Sequence, residues 1–206
     1  MKAILLVGSP KEKNKSASWI IGDFLLKALT LNGAETKTSK LASFLDSKTG
    51  AKELIDAINL SDIIIFSSPL YADTPPTVVI QAMDIIKENK KNITSDKKIF
   101  VISNGSFPEA SQNSTAIRIY RQFAKGMDFC WLGGFAIGMG PMLCRWRSLE
   151  IFGLLHAIKK AVLITAIAFI HNNYVPRAAE QLMAKTIIPK KIYLLLMRTK
   201  FACIAK

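Results

Sequence analysis

Four consecutive apolar residues, Ile63-Ile64-Ile65-Phe66, lie between Ser61-Asp62 and Ser67-Ser68-Pro69. So short and unbroken a run has no polar face. It suits a strand covered on both sides, as in the middle of a parallel sheet. Two further runs share the pattern: Ala3 to Val7 stops at Gly8-Ser9, and Ile99 to Ile102 stops at Ser103-Asn104-Gly105. Parallel strands need crossover connections of about a dozen residues or more, and these are usually helical. The chain supplies them.

Ser16 to Asn32 predicts a helix with Ile20, Phe24, Ala28 and Leu31 on one face and Asn32-Gly33 as its stop. Glu35 to Leu41 (ETKTSKL) reads as an edge strand, and Lys48 to Asn59 as a second helix with Leu54, Ile55 and Ile58 inward. After Pro75-Pro76 a third helix carries Val79, Ala82, Met83 and Ile86 on one side. Ala110 to Gly126 predicts a fourth helix, Phe129 to Met139 a fifth strand broken at Gly133-Gly134, and Leu149 to His171 a long final helix. Five strand–helix alternations with short connections predict an α/β doubly wound parallel sheet, with helices on both faces. In such sheets ligands bind beyond the carboxyl ends of the strands. The three strand ends named above all open into small, polar or turn-forming residues, so they mark the candidate site.

The first of these junctions, Lys2 to Ser18 (KAILLVGSPKEKNKSAS), runs from a buried strand through a polar, basic loop to a helix start. Unpaired backbone N–H groups and the positive end of a helix dipole suit a phosphate there. The competing reading gives Gly8 only the turn.

Charge bears on partners. The formal net charge of +13 favours anionic ligands, anionic membrane or nucleic acid. No nucleic-acid-binding signature accompanies it, and no nucleic-acid partner is expected. From Arg177 to Lys206 seven basic residues face one acid, Glu180. We therefore divide the chain into a domain at 1–175 and a basic amphipathic C-terminal helical extension at 176–206. Within the extension Tyr193 to Ala205 reads either as an interfacial helix in peripheral membrane contact or as a helix packed on the domain or a second subunit, the latter preferred. The five-residue apolar run before Gly8-Ser9-Pro10 does not read as a signal peptide, and Ala161 to Ile170 is too short to span a bilayer. Cys130, Cys144 and Cys203 have neither paired nor metal-ligand spacing and read as small core residues in a reducing compartment. The expected location is cytoplasmic.

Three segments resemble a known family. GSPKEKNKSAS (Gly8 to Ser18) is similar to the phosphate loop of the NADPH-dependent FMN reductases and related NAD(P)H-dependent oxidoreductases. SDIIIFSSPLYADTPPTVVIQAMD (Ser61 to Asp84) looks like the family's third-strand motif, with an inward Asp on the helix that follows. SNGSFP (Ser103 to Pro108) takes the place of the loop after the fourth strand. The resemblance covers most of residues 1–140. It departs at Lys15-Ser16, where Asn-Ser is usual, and the cysteine cluster of iron–sulfur relatives is lacking.

The resemblance implies a flavodoxin-like five-stranded sheet of order 2-1-3-4-5, FMN as cofactor, NAD(P)H as co-substrate and a homodimer. Ser9, Lys11, Ser16, Ala17 and Ser18 would hold the phosphate; Pro69, Leu70, Tyr71 and Ala72 would wall the ring; Asn104, Gly105 and Ser106 would meet its pyrimidine edge. Alternatively, Ser16 is an ordinary N-cap, Lys11, Lys13 and Lys15 a solvated face, Tyr71 a packing aromatic and Asn104-Gly105 a tight turn. The implied activity passes a hydride from nicotinamide to flavin and on to a small-molecule acceptor such as a quinone, nitro compound or flavin. It needs no catalytic side chain and no metal. The runner-up is a flavodoxin-like electron carrier without NAD(P)H turnover. Asp84, His156 and His171 read as structural; Trp19, Trp131 and Trp146 read as core or interface residues, and alternatively Trp146 with Arg145 and Arg147 could line the open side of the flavin.

Overall fold

The computed structural model describes residues 1–145, 153–171 and 174–204. Five parallel strands form one sheet in the order β2-β1-β3-β4-β5. They are β1 (Lys2–Val7), β2 (Glu35–Lys40), β3 (Ile63–Pro69), β4 (Lys98–Asn104) and β5 (Cys130–Ile137). This is the flavodoxin-like arrangement.

The apolar runs are explained by what covers them. On one face Leu5, Val7, Ile65, Phe100 and Ile102 pack under α1 (Ala17–Leu31); on the other Ile4, Leu6, Ile64, Phe66 and Val101 pack under α2 (Leu41–Leu45), α3 (Gly50–Asn59), α4 (Thr77–Glu88) and α5 (Ser114–Gly126). Both pleats of β1, β3 and β4 are thus apolar because both are buried, whereas the edge strand β2 keeps its polar residues.

Beyond β5 come α6 (Gly140–Leu143), α7 (His156–Ile170), α8 (Arg177–Met183) and α9 (Lys190–Ile204). Helix α7 lies on the α1 side, where Phe169 meets Phe100 edge-on at 5.2 Å. Val175 N–H donates to Leu132 O at 2.9 Å, and Ala179, Met183, Ile187 and Tyr193 are buried in the same core.

Four expectations need correction. The fifth strand is not broken at its glycines but bulged: Ile99 faces Trp131 and Phe100 faces Gly133, leaving Leu132 as the additional residue. Gly133 has φ +127°, and a Cβ there would stand 3.0 Å from Val175. The edge strand stops at Lys40, because Leu41 and Phe44 turn inward on α2 and are buried. The last domain helix begins at His156; Gly153 to Leu155 form a turn with Gly153 at φ +66°, and the expected start at 149–152 lies outside the described residues. Finally, Cys130 is half-buried and Cys144 exposed, so neither is a core residue.

Candidate functional site

The carboxyl ends of β1, β3 and β4 open into one cleft. Its lining comprises Ser9, Lys11, Lys15, Ser16, Ala17 and Ser18 from the first loop and the start of α1; Pro69, Leu70 and Tyr71 from the second; Asn104 and Ser106 from the third; and Gly140 and Pro141 of α6 with Cys144 just after it.

The first loop is held close to the sheet. Gly8 N–H donates to Ser67 O at 2.9 Å, and a Cβ on Gly8 would come within 2.3 Å of the Val79 side chain on α4. Only glycine lets the chain leave β1 at that height. The loop then enters a 3-10 turn, Lys13–Lys15, and Ser16 caps α1, its Oγ accepting from Trp19 N–H at 3.4 Å.

Three serines share one pattern. Ser9, Ser16 and Ser18 are buried, at 4%, 2% and 1% exposure. Ser9 Oγ accepts from Lys11 N–H, Ser16 Oγ from Trp19 N–H, and Ser18 Oγ from the Asn104 side-chain amide at 2.9 Å. Each oxygen is therefore used as an acceptor, while among the described residues none of the three hydroxyl hydrogens has an acceptor. Around them the lysines differ. Lys13 pairs with Asp23 at 3.3 Å and lies over the Trp19 ring; Lys15 pairs with Glu12 at 2.9 Å. Lys11 is exposed and pairs with no carboxylate among the described residues.

Asn104 joins all three strand ends. Its side-chain amide nitrogen donates to Ser18 Oγ and to Ser68 O at 3.0 Å, and its backbone carbonyl accepts from Leu70 N–H at 2.9 Å. Beneath it Ser67 Oγ donates to Ser18 O, and Ser68 Oγ pairs with the Tyr120 hydroxyl at 2.7 Å. Burial pushes the Tyr120 phenol well above its ordinary pKa, the Ser68 hydrogen bond opposing, so it stays neutral. Ser103 Oγ donates to Asn113 Oδ1, whose amide nitrogen donates to Ala110 O and Ile137 O. The floor of the cleft is a closed hydrogen-bonded layer.

Tyr71 to Thr74 form a tight turn, their backbones bonded both ways at 3.0 Å, with Ala72 at φ +45° and Asp73 at φ +63°. Two successive left-handed residues are normally Asn or Gly. Ala72 is turned away by this geometry and does not line the cleft. Gly105 does not line it either, since its N–H donates to Ile137 O and its carbonyl accepts from Gly140 N–H, both at 2.8 Å.

A family model, NADPH-dependent FMN reductase, matches residues 1–119, which include all three strand ends. The chain belongs to this family. Its members are NAD(P)H-dependent FMN oxidoreductases. Solved structures similar to it include an NADH:FMN oxidoreductase in its apo form (13% identity, 93% of this chain and 97% of that one, TM-score 0.62). Others are an FMN-dependent NADH-azoreductase from Bacillus anthracis str. Ames Ancestor with FMN (11%, 82% and 99%, TM-score 0.59) and an NAD(P)H:quinone oxidoreductase from Methanothermobacter marburgensis (13%, 79% and 96%, TM-score 0.58). At such identities they show the shared fold. No curated protein matches the chain in sequence.

Sequence reading missed Gly140, Pro141 and Cys144, which lie beyond the family match. The Gly138-Met139-Gly140-Pro141 run was the available signal, a turn at the end of β5 on the same sheet edge as the other loops. The Cys144 thiol donates to Lys15 O at 3.3 Å, tying α6 to the first loop. Asp84, expected inward by resemblance, is exposed: α4 turns Val79, Ala82, Met83 and Ile86 to the sheet instead. His156 and His171 are exposed, Arg145 is exposed and outside the cleft lining, and Trp146 and Arg147 lie outside the described residues. Among the described residues no helix is long and apolar enough to cross a membrane.

Proposed function

We propose that this cleft binds FMN and that the protein reduces a small-molecule acceptor at the expense of NAD(P)H. The observation that carries the reading is the trio of buried serines that line one cleft at a helix start beside Lys11, their oxygens accepting and their hydroxyl hydrogens without an acceptor among the described residues. A phosphate dianion accepts such hydrogens and the backbone N–H groups at the start of α1, and Lys11 adds charge at the rim. The donor set fits the group.

At the other end the cleft changes character, as a cofactor with a flat apolar ring requires. Pro69, Leu70, Tyr71 and Pro141 offer apolar surface, while Asn104 Oδ1 and Ser106 offer hydrogen-bonding groups for a polar ring edge. Asn104 is held by two donated bonds, so it presents its oxygen without rotating. Bound FMN would supply the two-electron relay between nicotinamide and acceptor. The chain's residues bind and orient it and keep water from its inner face.

Azo compounds and quinones, substrates named for the neighbouring structures, are acceptor classes to test. The reading as a simple electron carrier is disfavoured by the +13 charge, since such carriers are usually acidic. A homodimer is proposed with the exposed Leu163 and Ile167, one turn apart on α7, in its contact. A cytoplasmic location fits both the NAD(P)H requirement and the free Cys130 and Cys144.

The test is anaerobic mixing of purified, FMN-loaded protein with NADH or NADPH. Bleaching of the flavin absorbance faster than free FMN reacts supports a reductase, and bound flavin that stays oxidised supports the carrier. Absence of FMN binding would overturn both.

A further inference from the structure

Much of the chain's positive charge lies outside the cleft, and a good part of it sits on α9. That helix enters the protein through Tyr193, which is 1% exposed. Outward it turns Lys191, Ile192, Leu194, Leu195 and Arg198, all exposed, with the three apolar side chains at 51%, 51% and 63%. Single exposed leucines are ordinary. Three large apolar residues within four positions, flanked by cations, form a patch that a partner should cover.

We propose that α9 is an interfacial helix that docks the protein on an anionic lipid surface. Apolar insertion and electrostatic attraction are the two signals such binding needs, and both lie on this one face. The α9 sequence carries four basic residues, Lys190, Lys191, Arg198 and Lys200, and no acid, which complements a layer of anionic headgroups. A second copy of the chain suits the face less well. An isologous contact would bring the cations of one copy's face, Lys191 and Arg198, towards those of the other.

The docking helix is fastened to the cleft. Tyr193 Oη donates to the carbonyl of Ser106, a lining residue, and Lys190 pairs with Glu109 at 2.9 Å. The exposed Phe107 lies between those two anchor points in sequence. A protein lying on α9 therefore holds one wall of its cleft against the lipid surface, where an apolar acceptor would be concentrated.

The experiment is co-sedimentation of the full-length protein with vesicles of phosphatidylcholine, or of phosphatidylcholine mixed with phosphatidylglycerol, at low and high salt. Binding only to the mixed vesicles, weakened by salt, is expected. Lys191→Gln with Arg198→Gln should lower partitioning about 30-fold. Ile192→Ser with Leu195→Ser should lower it at least tenfold with no change of charge. Since all four residues are exposed, the melting temperature should be unchanged. Hydrogen exchange of the unmutated protein gives a second readout, with protection at 190–198 expected on adding mixed vesicles. No binding, protection elsewhere, or full binding by the serine pair would overturn the proposal. So would a concentration-dependent dimer, seen by sedimentation velocity, that the serine pair dissolves.

Discussion

At the amino end of the sheet, Lys97 is 6% exposed and its ammonium donates to Asn59 O at 2.8 Å and Ser61 O at 2.7 Å. Asn59 donates to Asn92 O and accepts from Thr94 N–H, Ser61 Oγ donates to Ala57 O, and Asp62 accepts from Lys2 N–H. At the carboxyl end the same residue types, serine and asparagine, use their oxygens as acceptors and leave three hydroxyl hydrogens and one amide oxygen for a guest. Both ends are polar. Among the described residues the carboxyl end keeps hydroxyl hydrogens without an acceptor, and there a ligand gains most, because the donors are already ordered and partly desolvated.

That contrast can be broken most sharply at its two asparagines. Asn104→Leu removes a donor shared by Ser18 and Ser68 in a buried layer. It should cost about 1–3 kcal/mol of stability and weaken FMN binding about 100-fold. Asn59→Ala should cost about 1 kcal/mol and leave FMN binding unchanged. Thermal melts with FMN titration by fluorescence quenching check both, and equal FMN losses would abolish the distinction. Next in size is Lys11→Gln, expected to weaken FMN about tenfold at low salt and less at high salt, with an unchanged melt.

Ser16→Ala tests cap and site together. Loss of the bond to Trp19 N–H should destabilise the chain by about 1 kcal/mol, and FMN affinity should fall as well. A stability loss alone would make Ser16 a cap and nothing more. Ala72→Gly should act oppositely, stabilising the apo protein by about 1 kcal/mol as the left-handed strain at φ +45° is relieved. The smallest effect lies at Glu109, whose carboxyl is held below its usual range chiefly by its hydrogen bond with Lys190. A carboxylate depressed in the folded state stabilises it above the ordinary carboxylate pKa, and that contribution is lost as pH falls through the depressed value. Glu109→Gln should therefore lower the melting temperature slightly at neutral pH, with no difference from the native chain at strongly acidic pH.

The fold was largely legible because its central strands are buried on both faces, which forces unbroken runs such as Ile63 to Phe66. The edges were less so. Leu41 was assigned to β2 because a single apolar residue after ETKTSK carries no period, and only the packed sheet shows that it begins α2. In the site, ten of the twelve residues read from sequence line one cleft, since strand ends and helix starts leave strong local marks. Ala72 and Gly105 lie outside that lining through turn and pairing geometry that composition does not encode. Nor could any pattern distinguish Ser61 from Ser67, as both flank the same apolar run.

The link from Tyr193 to Ser106 also has a consequence in time. A chain made from its amino terminus folds in that order, and all five strands leave the ribosome before α9 exists. The wall of the cleft at Ser106 therefore waits for a brace synthesised 87 residues later. Until α9 is made, that wall lacks the hydrogen bond from Tyr193.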